Sequence, residues 1–371
     1  MTEMVSALLT VLLCFTASPF QGLKAAGEGA EQEMKMMAFQ GQEQEVLVME
    51  EPEPVTLSFA GDISFGEGYA NMAFYHSNGD DITKCIDPDL IGRMDAADIM
   101  MVNHEFACSD RGAPLSGKTF TFRAKPEAAL ELERLSVDIV SLANNHVYDY
   151  GETALLDTLE ILEQCGIPYV GAGRNLEEAK KIVYFQTGEM QIAYVSATQI
   201  ERSYVYTKEA TETAPGVLRT FEPTAFLEVI RKAKETSDFV VVYVHWGTEG
   251  TDQFGADQRQ LGYQYVDAGA DLVIGDHPHC LQGIEFYRGV PIVYSMGNYW
   301  FNSKTQNTGL VEADVSKEGI LELRFVPCLQ KGCRTALIQD EAGKQQVFRY
   351  LEGISVNVKI DEEGRITEKE E

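Results

Sequence analysis

Short apolar runs rich in β-branched residues alternate with segments of helical periodicity from residue 55 onward. The apolar runs read VTLSFAG, ADIMMVN, VDIVSLAN, IPYVGAG, QIAYVSA, DFVVVYVHWG, DLVIGD and PIVYSMGN. Between them, apolar spacing predicts helices over 128–135, 153–165, 224–236 and 256–268. Strands that alternate with helices of this length predict α/β layers. From residue 319 the pattern becomes strand-rich, through ILELRFVP and ISVNVKI, and the final GRITEKEE predicts a frayed, charged end.

Residues 1–54, which precede these elements, have a different composition. Residues 5–17 form an apolar run that is too short for a stable transmembrane helix and has the length of an export-signal core. The first basic residue, Lys24, follows the run, so the signal would be atypical; the alternative is a cytoplasmic protein with an apolar N-terminus. We expect an extracytoplasmic protein, secreted or attached to the membrane. The predicted organisation is an export signal or anchor (1–26), an acidic linker (27–54), one domain (55–360) and a charged tail (361–371).

Composition narrows the class of protein. Hydrophobic residues make up 44% of the 371 residues, which excludes global disorder. The net charge of -28 excludes a non-specific nucleic-acid binder, which needs the opposite sign. Seven cysteines without a CxxC pair do not make a disulfide scaffold. Local bridges between Cys328 and Cys333 and between Cys85 and Cys108 remain as open as free thiols.

Polar residues of the metal-ligand type directly follow several predicted strands. In α/β sheets, ligands collect at the carboxyl ends of strands, where the loops converge. One such segment is a weak signal, because a histidine after a strand is usually a buried polar residue, but five in one chain predict a joint metal site. They hold five of the six histidines, with only His76 elsewhere. The segments are Gly61-Asp62, Asn103-His104-Glu105, Asn144-Asn145-His146, His245-Trp246-Gly247 and Gly275-Asp276-His277-Pro278-His279.

The residue types in these segments suit divalent ions with nitrogen and oxygen ligands. Carboxylate, imidazole and amide groups fit Mn, Fe or Zn, whereas soft sites need thiolates. A bridging carboxylate can hold two ions about 4 Å apart, so that one activates water and both stabilise developing charge. In an extended segment, the H-x-H spacing directs the rings of His277 and His279 to one side, and Pro278 stiffens the pair. We expect one or two divalent ions.

The order of the motifs resembles the CapA-type capsule biosynthesis family, the poly-γ-glutamate synthesis accessory proteins. The matching stretches between residues 55 and 301 read FAGDISFG, VNHEF, FTFRAKPE, SLANNHVYDYG, GAGRNLEEA, VYVHWGTEG and GADLVIGDHPHCLQGIEFYRGVPIVYSMGNYWF. The family fold is similar to that of calcineurin-like metallophosphoesterases, so the resemblance implies a four-layer α/β/β/α sandwich of metallophosphatase type, here with a strand-rich C-terminal end. It also implies extracytoplasmic, membrane-associated work on an anionic γ-linked glutamate polymer, together with membrane-bound polymer synthase subunits.

The resemblance implies two metal positions that share one carboxylate. The implied ligands are Asp62 and His279 for the first ion, Asn145, His245 and His277 for the second, and Glu105 as the bridge. Two departures from the pattern of such sites stand out. The segment Asp62-Ile63-Ser64 lacks the histidine of the usual D-x-H, which predicts a weak first position. Asp276 stands where the family commonly has a second histidine before HPH, and it would either ligate a metal or reshape the loop.

The resemblance also implies roles beside the ligands. His146 and Asn145 would be the catalytic pair, with His146 facing the substrate as a general acid or electrostatic group. Asp149, Glu249 and Asp276 would each orient a metal ligand through a hydrogen bond without binding the metal themselves. Glu249 also fits the alternative of a solvated acid in a loop. Arg123 would clamp an anionic group of the substrate, with a surface ion pair as its alternative.

Three functions are compatible with these motifs. The first is metal-assisted hydrolysis of an amide or phosphoester bond during synthesis, export or trimming of an anionic polymer, by resemblance poly-γ-glutamate. The second is a phosphoesterase that shares only the fold, and the third is a non-enzymatic scaffold that binds the polymer at a vestigial site. Similarity of fold does not choose among them, because sites rather than folds carry chemistry.

Overall fold

The structure is a computed structural model that describes residues 54–203 and 205–369. The predicted signal or anchor, and the predicted linker up to residue 53, lie outside the described residues. In chain order, the strands are β1 (Val55–Ile63), β2 (Ile99–His104), β3 (Ala107–Cys108), β4 (Arg123–Ala124), β5 (Ile139–Ser141), β6 (Tyr169–Val170), β7 (Ala172–Gly173), β8 (Val183–Thr187), β9 (Met190–Thr198), β10 (Gly216–Val217), β11 (Phe239–His245), β12 (Leu272–Asp276), β13 (Ile284–Tyr287), β14 (Val290–Val293), β15 (Asn298–Trp300), β16 (Gln306–Ser316), β17 (Gly319–Lys331), β18 (Arg334–Leu337), β19 (Val358–Ile360) and β20 (Ile366–Glu368).

Amphipathic segments form helices between these strands. In the helix over 224–236, the buried residues Phe226, Val229, Ile230 and Ala233 recur at the three- and four-residue spacing of one helix face. The next helix ends at Gly269, whose φ of 117° gives the left-handed cap that glycine adopts without strain. The α-helices are α1 (Ala70–Ser77), α2 (Pro88–Asp95), α3 (Ala129–Arg134), α4 (Gly151–Gln164), α5 (Leu176–Ala179), α6 (Thr224–Thr236), α7 (Ala256–Ala268) and α8 (Glu341–Ile354).

Most of the strands belong to two large mixed sheets. The first has the order β18-β17-β16-β1-β2-β5-β6, with β15 also paired to β1, and its strands β1, β2, β5 and β6 run parallel. The second has the order β13-β14-β12-β11-β9-β8, and its strands β9, β11, β12 and β14 run parallel. Because parallel strands end at the same edge of a sheet, each sheet gathers the loops after its parallel strands at one edge.

Three buried apolar clusters separate the layers. The central cluster contains Phe59 from the first sheet and Tyr243 from the second, so the sheets face each other. On the outer face of the first sheet, Val102 belongs to a cluster with Leu155 of α4. On the outer face of the second, Val242 belongs to a cluster with residues of α6 and α7. This arrangement confirms the predicted four-layer α/β/β/α sandwich.

Hydrogen bonds made by side chains join the two sheets near the carboxyl ends of their parallel strands. The Tyr243 hydroxyl donates to the carbonyl of Ala60 (3.0 Å), and the hydroxyls of Ser141 and Ser196 lie 2.7 Å apart. All four residues are buried. Because polar groups removed from water need partners, these bonds favour one alignment of the sheets over others.

The C-terminal region differs from its prediction in two ways. The strand-rich pattern is present, but it also contains α8, which begins where the Asp340 side chain accepts a hydrogen bond from Gly343 N and which buries Val347, Phe348 and Leu351. The charged end is not frayed over 361–368, because β20 pairs with β19 in an antiparallel hairpin.

Two further features bear on the sequence predictions. Among the residues that the structure describes, no helix combines the length and apolar character needed to cross a membrane. The six described cysteines are free thiols, so neither Cys328 with Cys333 nor Cys85 with Cys108 forms a bridge.

The close approach of β1 to the segment before β15 generates a test of the fold. A methyl group on Gly61 would lie 1.8 Å from the carbonyl oxygen of Gly297, which is backbone and cannot turn aside. We expect Gly61→Ala to lower the free energy of unfolding by about 3 kcal/mol, as overpacking does. Urea denaturation measures this change. The control is Gly92→Ala in α2, where the added methyl meets open space; it should raise stability by up to about 1 kcal/mol, and equal effects of the two changes would contradict the prediction.

Candidate metal centre

Four buried polar side chains come from strand ends in both sheets. Asp62 lies near the end of β1, Glu105 follows β2, His245 ends β11 and His277 follows β12. The facing sheets bring the carboxyl ends of their parallel strands to a common edge, so these residues meet although they are far apart in sequence.

One set of ligand atoms surrounds Nε2 of His245. Asn145 Oδ1 lies 2.8 Å from this atom, His277 Nδ1 lies 3.1 Å from it and Glu105 Oε1 lies 3.6 Å from it. Ligand atoms bound at about 2.0–2.2 Å to one ion are separated from each other by about 3–3.5 Å. The four residues are therefore spaced to share a cation.

A second set lies around Asp62. His279 Nδ1 donates to Asp62 Oδ2 (3.0 Å) and to Asn298 Oδ1 (2.8 Å). Potential ligand atoms of Asp62, Glu105 and His279 all lie within 4.8 Å of one another. The same holds for Glu105, His245 and His277. Glu105 is thus common to both sets, the position predicted for a bridging carboxylate.

Glu249 stands on the solvent side of these sets. Its side chain is 63% exposed, and its Oε1 lies 4.0 Å from Nε2 of His277. Glu249, His277 and His279 form a third group of potential ligand atoms within 4.8 Å. Gly250 N donates to the carbonyl of Pro278 (2.9 Å), which ties the loop of Glu249 to the H-P-H segment.

The H-P-H segment is bent rather than extended, which corrects the backbone conformation expected from its spacing. His277 has a φ of 98° and His279 a φ of 58°. Non-glycine residues rarely adopt such angles and do so mainly where the surrounding structure imposes them. Both rings still reach the centre, with centroids 5.8 Å apart, through this left-handed backbone rather than through strand alternation.

Two buried amides connect the strand-end segments. The Oδ1 of Asn144 accepts from the backbone N–H groups of His146 and Val147 (3.0 Å each), which fixes which end of the amide is the donor. Asn144 Nδ2 then donates to Asn103 Oδ1 (3.0 Å), and Asn103 Nδ2 donates to Asp62 Oδ1 (2.7 Å). The orientation of the Asp62 carboxylate is therefore set by the backbone of the Asn144 loop.

His146 lies between a carboxylate and the centre. Its Nδ1 donates to Asp149 Oδ2 (2.6 Å), while its Nε2 lies 3.8 Å from Glu105 Oε1. Lys118, a residue outside the predicted set, donates from Nζ to Asp149 Oδ1 (2.6 Å) and to the carbonyl of Asn145. The structure thus places Asp149 against His146, which is not one of the predicted metal ligands, so its predicted role in orienting a ligand stays a prediction.

Asp276 and His104 are both buried, but neither belongs to the two sets of ligand atoms. The Oδ2 of Asp276 is in hydrogen-bonding contact with the Tyr243 hydroxyl, whose proton is donated to the carbonyl of Ala60. The ring of His104 stacks on Phe106 with centroids 3.7 Å apart, and its burial lowers the pKa of the imidazole to about 3. His104 is therefore a neutral core residue.

The Arg123 guanidinium binds main chain instead of a carboxylate. It donates to the carbonyls of Arg111 (3.0 Å) and Gly112 (3.3 Å), and it lies 4.2 Å from the centroid of the Tyr150 ring. The neighbouring Phe122 ring, in contrast, packs on His146 with centroids 4.3 Å apart. These partners of Arg123 are not members of the ligand sets, and its role as an anion clamp stays a prediction.

Burial shifts the titration of acids and imidazoles in opposite directions. Burial, reinforced by the charge of Asp62, raises the pKa of Glu105 and of Asp276 well above their usual range. Burial lowers the pKa of His245 and His277 well below the usual range, and neighbouring imidazoles lower it further. Both imidazoles are therefore neutral near pH 7, the form that binds metals.

The donor set fits a divalent cation. Glu105 Oε1 is buried and accepts no hydrogen bond from the described residues. A buried carboxylate oxygen without a donor is costly, and a cation among neutral imidazoles and an amide oxygen would satisfy it. Such mixed nitrogen and oxygen donors suit Mn, Fe or Zn.

Three residues of this region escaped the sequence prediction. Asn298 follows the apolar run PIVYSM, so it carried the same strand-end signal as the others. Tyr243 lies inside an apolar strand, where its hydroxyl has no visible partner in the sequence. Lys118 occurs in a loop with no strand before it, and only the fold brings it to Asn145, 27 residues away.

The raised pKa of Glu105 generates a stability test on the metal-free protein. Folding favours the neutral carboxyl of Glu105, so ionisation of this group destabilises the folded state. This destabilisation is absent below the usual pKa of 4.5 and grows as the pH rises towards the folded-state pKa. We expect Glu105→Gln to match the wild type near pH 4 and to be more stable by at least about 1 kcal/mol at pH 8. Urea unfolding with a chelator measures this. Glu152→Gln, at an exposed position in α4, is the control, and a difference that does not change with pH would contradict the expectation.

Comparisons with known proteins agree with the motifs. A family described as bacterial capsule synthesis protein PGA_cap matches residues 56–303. The PGA biosynthesis protein CapA of Bacillus subtilis (strain 168) is 31% identical over 319 residues, covering 84% of this chain and 82% of that protein. The capsule biosynthesis protein CapA of Bacillus anthracis is 30% identical over 315 residues, covering 81% and 74%.

Among solved structures, a phosphatase from Mycoplasma pneumoniae aligns with a TM-score of 0.47 at 12% identity, covering 75% of this chain and 95% of that one. This likeness is too low to bear on the reaction. The sequence relatives and the matched region are sufficient for the family: the chain belongs to the bacterial capsule synthesis protein family PGA_cap.

Proposed function

We propose that this protein acts in the synthesis, export or trimming of a poly-γ-glutamate capsule polymer through a divalent metal centre that promotes hydrolysis. The names of the two CapA relatives, a capsule biosynthesis protein and a PGA biosynthesis protein, support the polymer. The single observation that carries the metal centre is the buried Oε1 of Glu105, which lacks a hydrogen-bond donor and lies 3.6 Å from His245 Nε2.

The proposed ligands follow the two sets that share Glu105. Asp62, Glu105 and His279 would hold the first ion. Glu105, Asn145, His245 and His277 would hold the second, and the ions would be Mn, Fe or Zn. When bound, such ions act as Lewis acids towards a carbonyl or phosphoryl oxygen and lower the pKa of water.

His146 is the proposed general acid. Its Nδ1 proton is held by Asp149, so Nε2 is the nitrogen that faces Glu105 and the centre. A proton at Nε2 would pass to the departing group of the substrate, and Asp149 would stabilise the imidazolium before transfer. Glu249 would accept a hydrogen bond from His277 Nε2, and Asp276 would support the edge of the second sheet through Tyr243.

The compartment and partners belong to the same proposal. Residues 5–17 have the apolar character of an export-signal core, which supports an extracytoplasmic protein attached to the membrane or secreted. Work on a nascent polymer would place it beside membrane-bound synthase subunits.

Metal binding tests the centre directly. After chelator treatment, the protein should bind Mn²⁺ or Zn²⁺ in calorimetric titration. His277→Ala and His279→Ala should each weaken binding by at least about 100-fold, since each removes a ligand, more than the 10–100-fold known for outer partners. His76→Ala removes an exposed histidine that pairs with Glu67 and serves as the control. No binding by the wild type, or equal binding by His277→Ala, would refute the centre.

Polymer cleavage tests the reaction. Metal-loaded protein should shorten poly-γ-glutamate, measured by size-exclusion chromatography, and chelator should stop it. His146→Asn should slow cleavage by about 10²–10⁴-fold, the usual contribution of a general acid, while His76→Asn should not. Turnover of an aryl phosphate with intact polymer would instead establish a phosphoesterase, and binding without cleavage would establish a scaffold.

A further inference from the structure

We propose that Lys118 is a positioning residue of the metal centre, which holds the backbone of Asn145 and, through Asp149, the ring of His146. This inference rests on the metal centre proposed above.

The Lys118 ammonium is enclosed by oxygen atoms of the protein. Its side chain is 6% exposed. Its Nζ donates to the carbonyl of Asn145 and to Asp149 Oδ1 (2.6 Å), and it lies 3.8 Å from Glu201 Oε1. A buried ammonium requires such compensation. Because Asp149 and Glu201 already neutralise it, its role is to hold protein groups rather than to capture an anionic substrate.

Asp149 connects Lys118 to His146 through hydrogen bonds on its two carboxylate oxygens. One carboxylate oxygen of Asp149 is bound by Lys118, and the other accepts from His146 Nδ1 (2.6 Å) and Phe122 N (2.7 Å). With both oxygens occupied, the carboxylate plane cannot turn. The Phe122 ring packs on the imidazole, with centroids 4.3 Å apart. His146 is therefore held in one ring orientation, with Nε2 towards Glu105.

Asn145 receives the constraint directly. Lys118 binds its main-chain carbonyl, and its side-chain Oδ1 lies 2.8 Å from His245 Nε2. Leu115 N donates to the carbonyl of Asp149 (2.8 Å), so the loop that carries Lys118 is also fixed by its backbone. One ammonium thus connects a proposed ligand and the proposed general acid, which are adjacent in sequence but face different partners.

The test uses Co²⁺ as the probe, because its visible absorption reports ligand geometry independently of activity. Chelated full-length protein is titrated with Co²⁺ as wild type, Lys118→Met, Lys118→Arg and Lys125→Met, the last changing an exposed lysine as control. We expect Lys118→Met to weaken Co²⁺ binding about 10–100-fold, as loss of an outer partner does, and to alter the absorption bands. Lys118→Arg should recover most of both, and Lys125→Met should match the wild type.

The outcomes separate this inference from the metal centre itself. A wild type that binds no Co²⁺ refutes the centre. A wild type that binds, with unchanged affinity and spectrum in Lys118→Met, overturns the role of Lys118 alone, and so does Lys118→Arg if it binds as weakly as Lys118→Met. If circular dichroism shows that Lys118→Met does not fold, Asp149→Asn replaces it, because Asp149 is the next residue in the series of hydrogen bonds from Lys118 to His146. An unchanged Co²⁺ spectrum in Asp149→Asn overturns the inference.

Discussion

The candidate metal centre depends on one constraint: the buried carboxyl oxygen Oε1 of Glu105 accepts no hydrogen bond from the residues that the structure describes. Glu105 is fully buried between the strand ends of two sheets, beside the acids Asp62 and Asp276. Three carboxyl groups so close cannot all carry charge in a low dielectric without a compensating cation or proton. The neutral imidazoles of His245 and His277 do not supply that charge, because burial keeps them unprotonated. Burial lowers the pKa of His279, but its hydrogen bond to Asp62 outweighs burial and the pKa is raised, so this imidazole offsets one of the three acids. The remaining acids require a cation or a proton.

The rest of the fold holds the buried acids and imidazoles together although their burial and the local backbone strain cost free energy. Bonds between the sheets, such as that from Tyr243 to the carbonyl of Ala60, keep the two strand-end edges aligned. The left-handed backbone at His277 and His279 costs about 1–3 kcal/mol at each residue. Such strain persists only where packing determines the chain on both sides, and β12 and the contact from Gly250 to Pro278 do so here. A rigid double-sheet scaffold is thus a condition for the site.

The sequence predicted those parts of the site that depend on strand position. An apolar run followed by a polar residue identifies a strand end, and this rule located Asp62, Glu105, Asn145 and His245 at strand ends of an α/β protein. The four-layer sandwich that joins them was implied by the family resemblance. It did not give the conformation of the H-P-H segment, because tertiary contacts overrode strand alternation. Residues that act through long-range contacts were also invisible: Lys118 has no local pattern that distinguishes it from a surface lysine. The helix α8 was missed because the strand-like runs on both sides dominate the pattern there, although Val347, Phe348 and Leu351 recur at helical spacing and Asp340 marks its start.

The charge of -28 is compatible with a polyanionic substrate only if attraction arises locally. Exposed acids repel such a polymer at long range, but at physiological salt this repulsion is screened beyond about 8 Å. Within that distance the buried acids would face the polymer unless divalent ions reverse their charge. Lys118 does not help, because Asp149 and Glu201 already neutralise it. In the proposed function, the ions therefore help to bind the anionic substrate as well as activate it, so removal of the metal would weaken polymer affinity and stop hydrolysis together.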